Sequence, residues 1–415
     1  MRAAIFRIVG GSEEAGSVTG APRSDDNLAP ALAASAIDIL GRLIAFDTTS
    51  SGSNLALIDY VETYLAGHGV PARRIANADG SKANLLATIG PSAARGIVLS
   101  GHTDVVPVEG QPWSRDPFTL VEYEGRLYGR GTADMKSFIA LALAAVPYLS
   151  PSAMTRPVHL AFSYDEEIGC LGAPDLIDAL VAEGHRPLAA IVGEPTDMAI
   201  INSHKGIHLY EVVVTGREAH SSLVHEGVSA NMVAIEILAA LGRIAESERT
   251  DHRDARFDPP WSTLTVGTIH GGTAANILAR ECRFTFDLRT VPDRDIDVVL
   301  APFWAAVEEA RTRLKREGGE TGVVVHPIAQ VPPLRREEDG VAEHFAAMLS
   351  EVETLPGAVS YGAEAGQFQT AGVSTVICGP GSIMQAHRPD EFIEIAQIEA
   401  GARFMSRLIA ITHAE

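Results

Sequence analysis

Residues 96–104, GIVLSGHTD, combine a short apolar run with a histidine and an aspartate that follow it directly. Apolar runs of this length, bounded by turn residues, are typical of a buried strand. Two further runs, 158–162 and 188–192, are followed by acidic residues, and stretches with a helical pattern lie at 136–149 and 171–182. Because strands and helices alternate, we predict an α/β fold with a mostly parallel sheet flanked by helices.

The pattern changes near Gly206, after which the segments follow the order strand, helix, strand, strand, helix, strand. That order predicts a ferredoxin-like α+β domain. We therefore predict an inserted lid or dimerisation domain at 207–330, within a main catalytic domain made of 28–206 and 331–415. Residues 1–27, rich in glycine, serine and acidic side chains, are predicted to be a disordered leader or to precede the true start site.

The bulk composition limits the partners and the compartment. With 53 acidic and 33 basic residues, the formal net charge of −20 disfavours nucleic acid or an anionic membrane as a partner. The cysteines, at 170, 282 and 378, lie far apart, which fits neither a disulfide framework nor a thiolate zinc site and favours a reducing compartment. No apolar run approaches a membrane span, and the first residues do not resemble a secretory signal. We expect a cytoplasmic protein.

Five side chains that can bind metal follow predicted strands or precede a predicted helix. They are His102, Asp134, Glu167, Glu194 and His387. The carboxyl ends of parallel strands meet at one edge of an open α/β sheet, so these groups can converge there. Two imidazoles and three carboxylates suit two divalent ions, zinc first and cobalt or manganese as alternatives. Asp134, a lone acid in a tight turn, is best placed to bridge the two ions.

Each of these residues has a plainer explanation when taken alone. A histidine or an acid at a strand end is often structural, and Asp134 could cap the helix that follows it. Glu166 and Glu167 could interact with the dipole of the next helix; if Glu167 binds metal instead, Glu166 remains free as a general base. Asp104 is placed either to orient His102 or to form a salt bridge. The joint arrangement favours the metal site.

Other functional classes are less well supported. The sequence has no Gly-x-x-x-x-Gly-Lys phosphate loop and no Gly-x-Ser-x-Gly elbow. Residues 129–131 begin like a dinucleotide fingerprint, but Asp134 stands where the last glycine should be and would repel a pyrophosphate. A metal-binding protein without turnover remains the non-enzymatic alternative.

Several motifs resemble those of the M20 metallopeptidase and deacylase family, and the resemblance extends from Leu32 onward. The motifs are SGHTDVVP at 100–107, GRGTADMK at 129–136, DEE at 165–167, GEPT at 193–196 and QAHRPD at 385–390. The resemblance implies that one ion is bound by His102 and Glu194 and the other by Glu167 and His387, with Asp134 as the bridge. It also implies that Glu166 is the general base, that Asp104 supports His102, and that the Asp134–Met135 peptide bond is cis.

The predicted inserted domain resembles that of the family as well. Residues 216–222, GREAHSS, are similar to a loop whose histidine stabilises the oxyanion. This implies the same role for His220, supplied across a homodimer formed through the inserted domain. Two other segments, ending at Asn276 and Arg289, are similar to those that bind the substrate carboxylate.

Within the family, the sequence is most similar to the branch that removes the acetyl group of N-acetylornithine in arginine biosynthesis. The segments that carry this likeness include 110–118, 170–172, 204–206 and 362–366. The resemblance implies a hydrolase that acts on the N-acyl form of a small amino acid. Glu364 is a candidate partner for a substrate ammonium group, with a surface role as the alternative. Succinyl-diaminopimelate, a dipeptide or another acyl amino acid is the alternative substrate.

Overall fold

The computed structural model describes residues 28–92, 95–184, 187–352 and 355–414, so that the predicted leader lies outside the described residues. The helices are α1 (Leu28–Ile44), α2 (Leu55–Gly67), α3 (Lys136–Ala145), α4 (Ala173–Ala182), α5 (Ala230–Asp251), α6 (Ile296–Glu317), α7 (Val341–Leu349), α8 (Ala365–Thr370) and α9 (Ile395–His413). Within those ranges, no helix is both long and apolar enough to cross a membrane.

The strands form three separate sheets. They are β1 (Ala72–Ala76), β2 (Ala83–Ile89), β3 (Ile97–His102), β4 (Val121–Tyr123), β5 (Arg126–Tyr128), β6 (Val158–Ser163), β7 (Ala189–Pro195), β8 (Ile201–His204), β9 (Gly206–Thr215), β10 (Thr263–Gly271), β11 (Glu281–Thr290), β12 (Gly322–Val331), β13 (Gly357–Val359), β14 (Thr375–Gly379) and β15 (Phe392–Glu394).

The largest sheet has eight strands in the order β1-β2-β6-β3-β7-β14-β8-β13. Strand β3 lies between β6 and β7 and runs parallel to both, and β14 runs parallel to β7. Ile97 and Leu99 of β3 contribute to a core with α1, α3 and α9, whereas Val98 contributes to a core with α4 and α8 on the opposite face. Because both faces are covered, the central strands are buried along their whole length and mostly apolar, as in other parallel sheets. The predicted α/β fold is confirmed.

The second sheet has four antiparallel strands in the order β10-β11-β9-β12. Side chains of β9 alternate between buried and half-buried positions, because one face of the sheet packs against α5 and α6. This sheet and its two helices follow the predicted order of elements and have an apolar core of their own. The division of the chain into two domains stays a prediction, which this separate core supports.

The third sheet, of order β15-β5-β4, was not expected from the sequence. Each of its strands has three residues, which is too short for a periodic pattern to be recognised. Pairing of Phe392 with Tyr128 places the segment after His387 beside the glycine-rich loop at 129–134. The small sheet therefore brings two parts of the predicted metal site together.

The predicted helix at 136–149 is shorter than expected. Helix α3 ends at Ala145, and a 3-10 turn follows from Val146 to Tyr148. Pro147 lies in this turn, and a proline cannot donate the backbone hydrogen bond that would continue the α-helix.

Candidate metal centre

The carboxyl edge of the eight-stranded sheet brings the five predicted ligands to one place. His102 is the last residue of β3 and Glu194 lies near the end of β7. Glu167 follows β6, and Asp134 stands between the glycine-rich loop and α3. His387 comes from the loop that precedes β15 and is the most exposed of the five, at 55% of its side chain. The predicted convergence of strand ends is thus what the structure shows.

Asp134 lies between the two imidazoles. Its Oδ1 is 3.0 Å from Nε2 of His102, and its Oδ2 is 3.5 Å from Nε2 of His387. The same nitrogen of His387 is 2.9 Å from Oε2 of Glu167. Each carboxylate oxygen of Asp134 thus faces one histidine, which is the arrangement expected of a residue that bridges two ions. The Asp134–Met135 peptide bond is cis, as the family resemblance implies.

Glu194 completes the group from the other side. Its Oε1 is 3.9 Å from Nε2 of His102, is buried, and has no hydrogen-bond partner among the described residues. A buried carboxylate oxygen without a partner is costly unless a cation compensates it. The ligand atoms of His102, Glu166 and Glu194 lie within 4.8 Å of one another, as do those of His102, Asp134 and Glu167. This donor set fits divalent metal ions.

The electrostatics of the centre support the same conclusion. Burial, together with the neighbouring acids, raises the pKa of Glu166 to about 8 and that of Glu167 to about 7, and it raises the pKa of Glu194 well above the usual value. Although burial alone would raise it, hydrogen bonds to His102 and His387 hold the pKa of Asp134 below its usual range. Negative charge is therefore crowded here, and bound cations would relieve the repulsion.

Asp104 links two of the ligand-bearing segments. Nδ1 of His102 lies 2.9 Å from the backbone carbonyl of Asp104 and 3.6 Å from its carboxylate. The carboxylate accepts hydrogen bonds from the backbone N–H groups of Glu166 and Glu167, at 3.1 and 3.3 Å, and from the Ser50 hydroxyl at 2.6 Å. Asp104 thus orients the imidazole and also fixes the turn that carries both glutamates.

The predicted residues of the inserted domain lie elsewhere. His220 is exposed, and its Nδ1 is 2.8 Å from the Ser222 hydroxyl. Asn276 is exposed on the adjacent segment, where its carbonyl accepts a hydrogen bond from the N–H of Ser221. No contact between described residues joins His220 or Asn276 to the five candidate ligands. Arg289, on β11, is half-buried, and its Nε donates to Asp287 at 2.9 Å.

Glu364 occupies a different position from the one expected for a substrate contact. It is 1% exposed, and its carboxylate accepts hydrogen bonds from the hydroxyls of Ser100 and Ser163, the latter at 2.8 Å. Since both serines lie near the carboxyl ends of central strands, Glu364 holds β3 and β6 together beneath the candidate ligands. This burial disagrees with both predicted roles of Glu364, the surface role and the role as an open site for a substrate ammonium group.

Two residues that contact the centre were not recognised in the sequence. The Cys170 thiol lies 3.2 Å from Oε1 of Glu166 and donates to it. Glu391 accepts a hydrogen bond from the backbone N–H of Asp134 at 3.1 Å. Cys170 lies in a segment that carries the family resemblance but has no predicted role at the centre. Glu391 directly follows the QAHRPD motif, so its position was a usable signal.

Comparison with known proteins agrees with this geometry. The model of peptidase family M20/M25/M40 matches residues 98–411, which is most of the chain. The chain belongs to the M20/M25/M40 peptidase family. This M20 enzyme is therefore a hydrolase that binds divalent metal.

Individual M20 relatives match over nearly the whole length. Acetylornithine deacetylase of Proteus mirabilis is 36% identical over 376 residues, covering 88% of this chain and 92% of the relative. Acetylornithine deacetylase of Myxococcus xanthus is 33% identical, covering 89% and 96%. The M20 metallo-carboxypeptidase Sso-CP2 of Sulfolobus solfataricus has a similar fold, with a TM-score of 0.70 at 19% identity over 91% of this chain and 99% of that one.

Proposed function

We propose that this M20 enzyme hydrolyses the amide bond of N-acetylornithine to give ornithine and acetate, a step of arginine biosynthesis. The observation that carries the proposal is Asp134 between two imidazoles, with the carboxylate of Glu166 beside them. The two acetylornithine deacetylases, each matched over nearly nine-tenths of this chain, support the choice of substrate.

We assign His102 and Glu194 to one ion, Glu167 and His387 to the other, and Asp134 to both. Imidazole and carboxylate ligands without a thiolate suit zinc, and cobalt or manganese would fit the same set. When bound, the two cations supply the Lewis acidity that polarises the amide and favours deprotonation of water.

Glu166 is assigned as the general base. It follows β6 next to the ligand Glu167, and its only hydrogen bond from a described side chain comes from Cys170, so its carboxylate is available for proton transfer. It takes a proton from the attacking water and returns that proton to the nitrogen of the leaving amino acid. The first transfer makes the water nucleophilic. The second is required because an amine that leaves without a proton is a poor leaving group.

The inserted domain is assigned to substrate binding and to a homodimer. His220 and Asn276 lie side by side on an exposed tip, and the proposal is that a partner subunit brings them to a metal centre. Strand β10 is an open edge of its sheet, and Met232, Ile235 and Ile269 are each more than half exposed on this domain. An open edge with exposed apolar side chains favours pairing with a second copy. In that dimer His220 stabilises the oxyanion, and Asn276 and Arg289 bind the substrate carboxylate.

We further propose that the protein acts in the cytoplasm. Cys170, Cys282 and Cys378 are all unpaired and buried, which is compatible with a reducing environment.

Substrate profiling tests the proposal directly. The full chain is loaded with Zn²⁺ or Co²⁺ and assayed for amine release from N-acetylornithine, N-acetylcitrulline, N-succinyl-diaminopimelate and dipeptides. We expect the highest kcat/KM for N-acetylornithine. A higher value for another member of the panel would reassign the substrate, and no hydrolysis by a metal-loaded protein would favour a binding protein.

A further inference from the structure

Glu391 is a buried carboxylate that takes no part in the proposed chemistry. It is 1% exposed, and it accepts hydrogen bonds from the backbone N–H groups of Gly131, Ala133 and Asp134, at 3.1, 2.9 and 3.1 Å. Converging N–H groups before a helix form a cradle of the kind that binds phosphate in other proteins. Here the protein fills the cradle with its own side chain, and the last residue of the cradle is the proposed bridging ligand.

A second set of contacts leads from Glu391 to the other histidine. Its Oε2 is 2.7 Å from Nη1 of Arg130, which is also 1% exposed. Nη2 of Arg130 donates to the side-chain oxygen of Gln111. Nε2 of Gln111 in turn donates to the backbone carbonyl of His387 at 3.0 Å. Trp113 fixes this arrangement, because its indole N–H donates to Gln111 at 3.0 Å and Arg130 lies 4.9 Å from its ring.

We propose that Glu391 is a positioning residue that sets the distance between the two metal sites. Through the cradle it holds Asp134, and through Arg130 and Gln111 it holds His387, so both residues are aligned from one buried carboxylate. The inference rests on the proposed ligands, and it adds a residue that controls how they are placed.

The charge and the two acceptor oxygens of Glu391 are what the arrangement requires. In Glu391→Gln the volume is kept, but an NH2 group replaces one oxygen and faces either the N–H groups of the cradle or the guanidinium. One of these donors then loses its acceptor, and the loop at 129–134 or Arg130 must move. Residues that hold metal ligands in position influence the affinity for the metal. We therefore expect Glu391→Gln to bind metal about 10- to 100-fold more weakly.

The test measures metal affinity by competition with a chelator and the absorption spectrum of the Co²⁺-loaded protein, using wild type and Glu391→Gln. Leu408→Ala, in the buried core around α9, is the control for lost stability, since it removes apolar packing and takes no part in the hydrogen bonds of Glu391, Arg130 and Gln111. We expect weaker binding and an altered Co²⁺ spectrum in Glu391→Gln only. Wild-type affinity with an unchanged spectrum, or an equal loss of affinity in Leu408→Ala, overturns the inference.

Gln111→Leu provides an independent test if Glu391→Gln does not fold. Gln111 is half-buried at the surface, so its replacement leaves the core intact. It cuts the connection to His387 but leaves the cradle of Asp134, and we expect a loss of affinity for one of the two ions. Two ions bound with wild-type affinity would refute the connection. A wild-type protein that binds no metal at all would instead overturn the proposed function, so the two failures are distinguishable.

Discussion

The metal centre and the exposed tip of the inserted domain differ in how completely the single chain builds them. At the carboxyl edge of the eight-stranded sheet, five candidate ligands from five segments contact one another within one subunit. At the tip, the hydrogen bonds of His220 and Asn276 to described residues stay within their own loop and its neighbour. Residues fixed by strand ends find their partners through the topology of the sheet, whereas residues on the tip reach a metal centre only in the proposed dimer.

Removal of the metal should have the largest effect on activity and stability. It should affect only the metal centre and not the tip that carries His220 and Asn276. After treatment with a chelator we expect no measurable hydrolysis and a lower Tm, because repulsion among the buried carboxylates is no longer compensated. Readdition of Zn²⁺ or Co²⁺ should restore both. Gel filtration should show the same oligomeric state throughout, and dissociation on metal removal would show that the two regions are coupled.

Glu166→Gln should be nearly as damaging while leaving the ligands in place. We expect kcat to fall by about 10²- to 10⁴-fold, because the side-chain amide of the introduced glutamine cannot take the proton from water. Metal analysis should still find as many bound ions as in wild type. A parallel loss of metal would mean that Glu166 is a ligand, which its position near His102 and Glu194 makes a real alternative.

His220→Ala tests the second region. We expect kcat to fall by about 10²- to 10³-fold with metal content unchanged, since a donor to the oxyanion is lost. Mixing His220→Ala chains with Glu166→Gln chains should restore activity to about a quarter of wild type, because half of the dimers are mixed and each holds one intact site. Recovery would show that the sites are shared between subunits. An inactive mixture with proven subunit exchange would contradict sharing.

Cys170→Ala should have the smallest effect. The thiol is a weak donor, so loss of its hydrogen bond to Glu166 should lower kcat by about threefold to tenfold with little change in KM. Cys170→Ser keeps a donor at the same position and should retain more activity. Equal losses in both variants would indicate that the thiol contributes packing rather than orientation of Glu166.

The closeness of the candidate ligands in the first region could be predicted because the signals are local, and their roles stay predictions. Each ligand stands next to a buried strand or a glycine-rich turn, so the α/β pattern was enough to place His102, Glu167 and Glu194 at one edge. The burial of Glu364 was missed, because its partners Ser100 and Ser163 are distant in the sequence and give no pattern of their own. The partners of Glu391 and Gln111 are likewise distant in the sequence, and the motif before Glu391 was the one local signal among them.

The positions of the ligands along the chain also affect when the centre can form. His102, Asp134, Glu167 and Glu194 precede the four-stranded sheet, and His387 follows it. The four-stranded sheet and its two helices are therefore translated after the first four candidate ligands and before the fifth. On the proposed assignment, Glu167 and His387 can hold the second ion together only after the last part of the chain has been made.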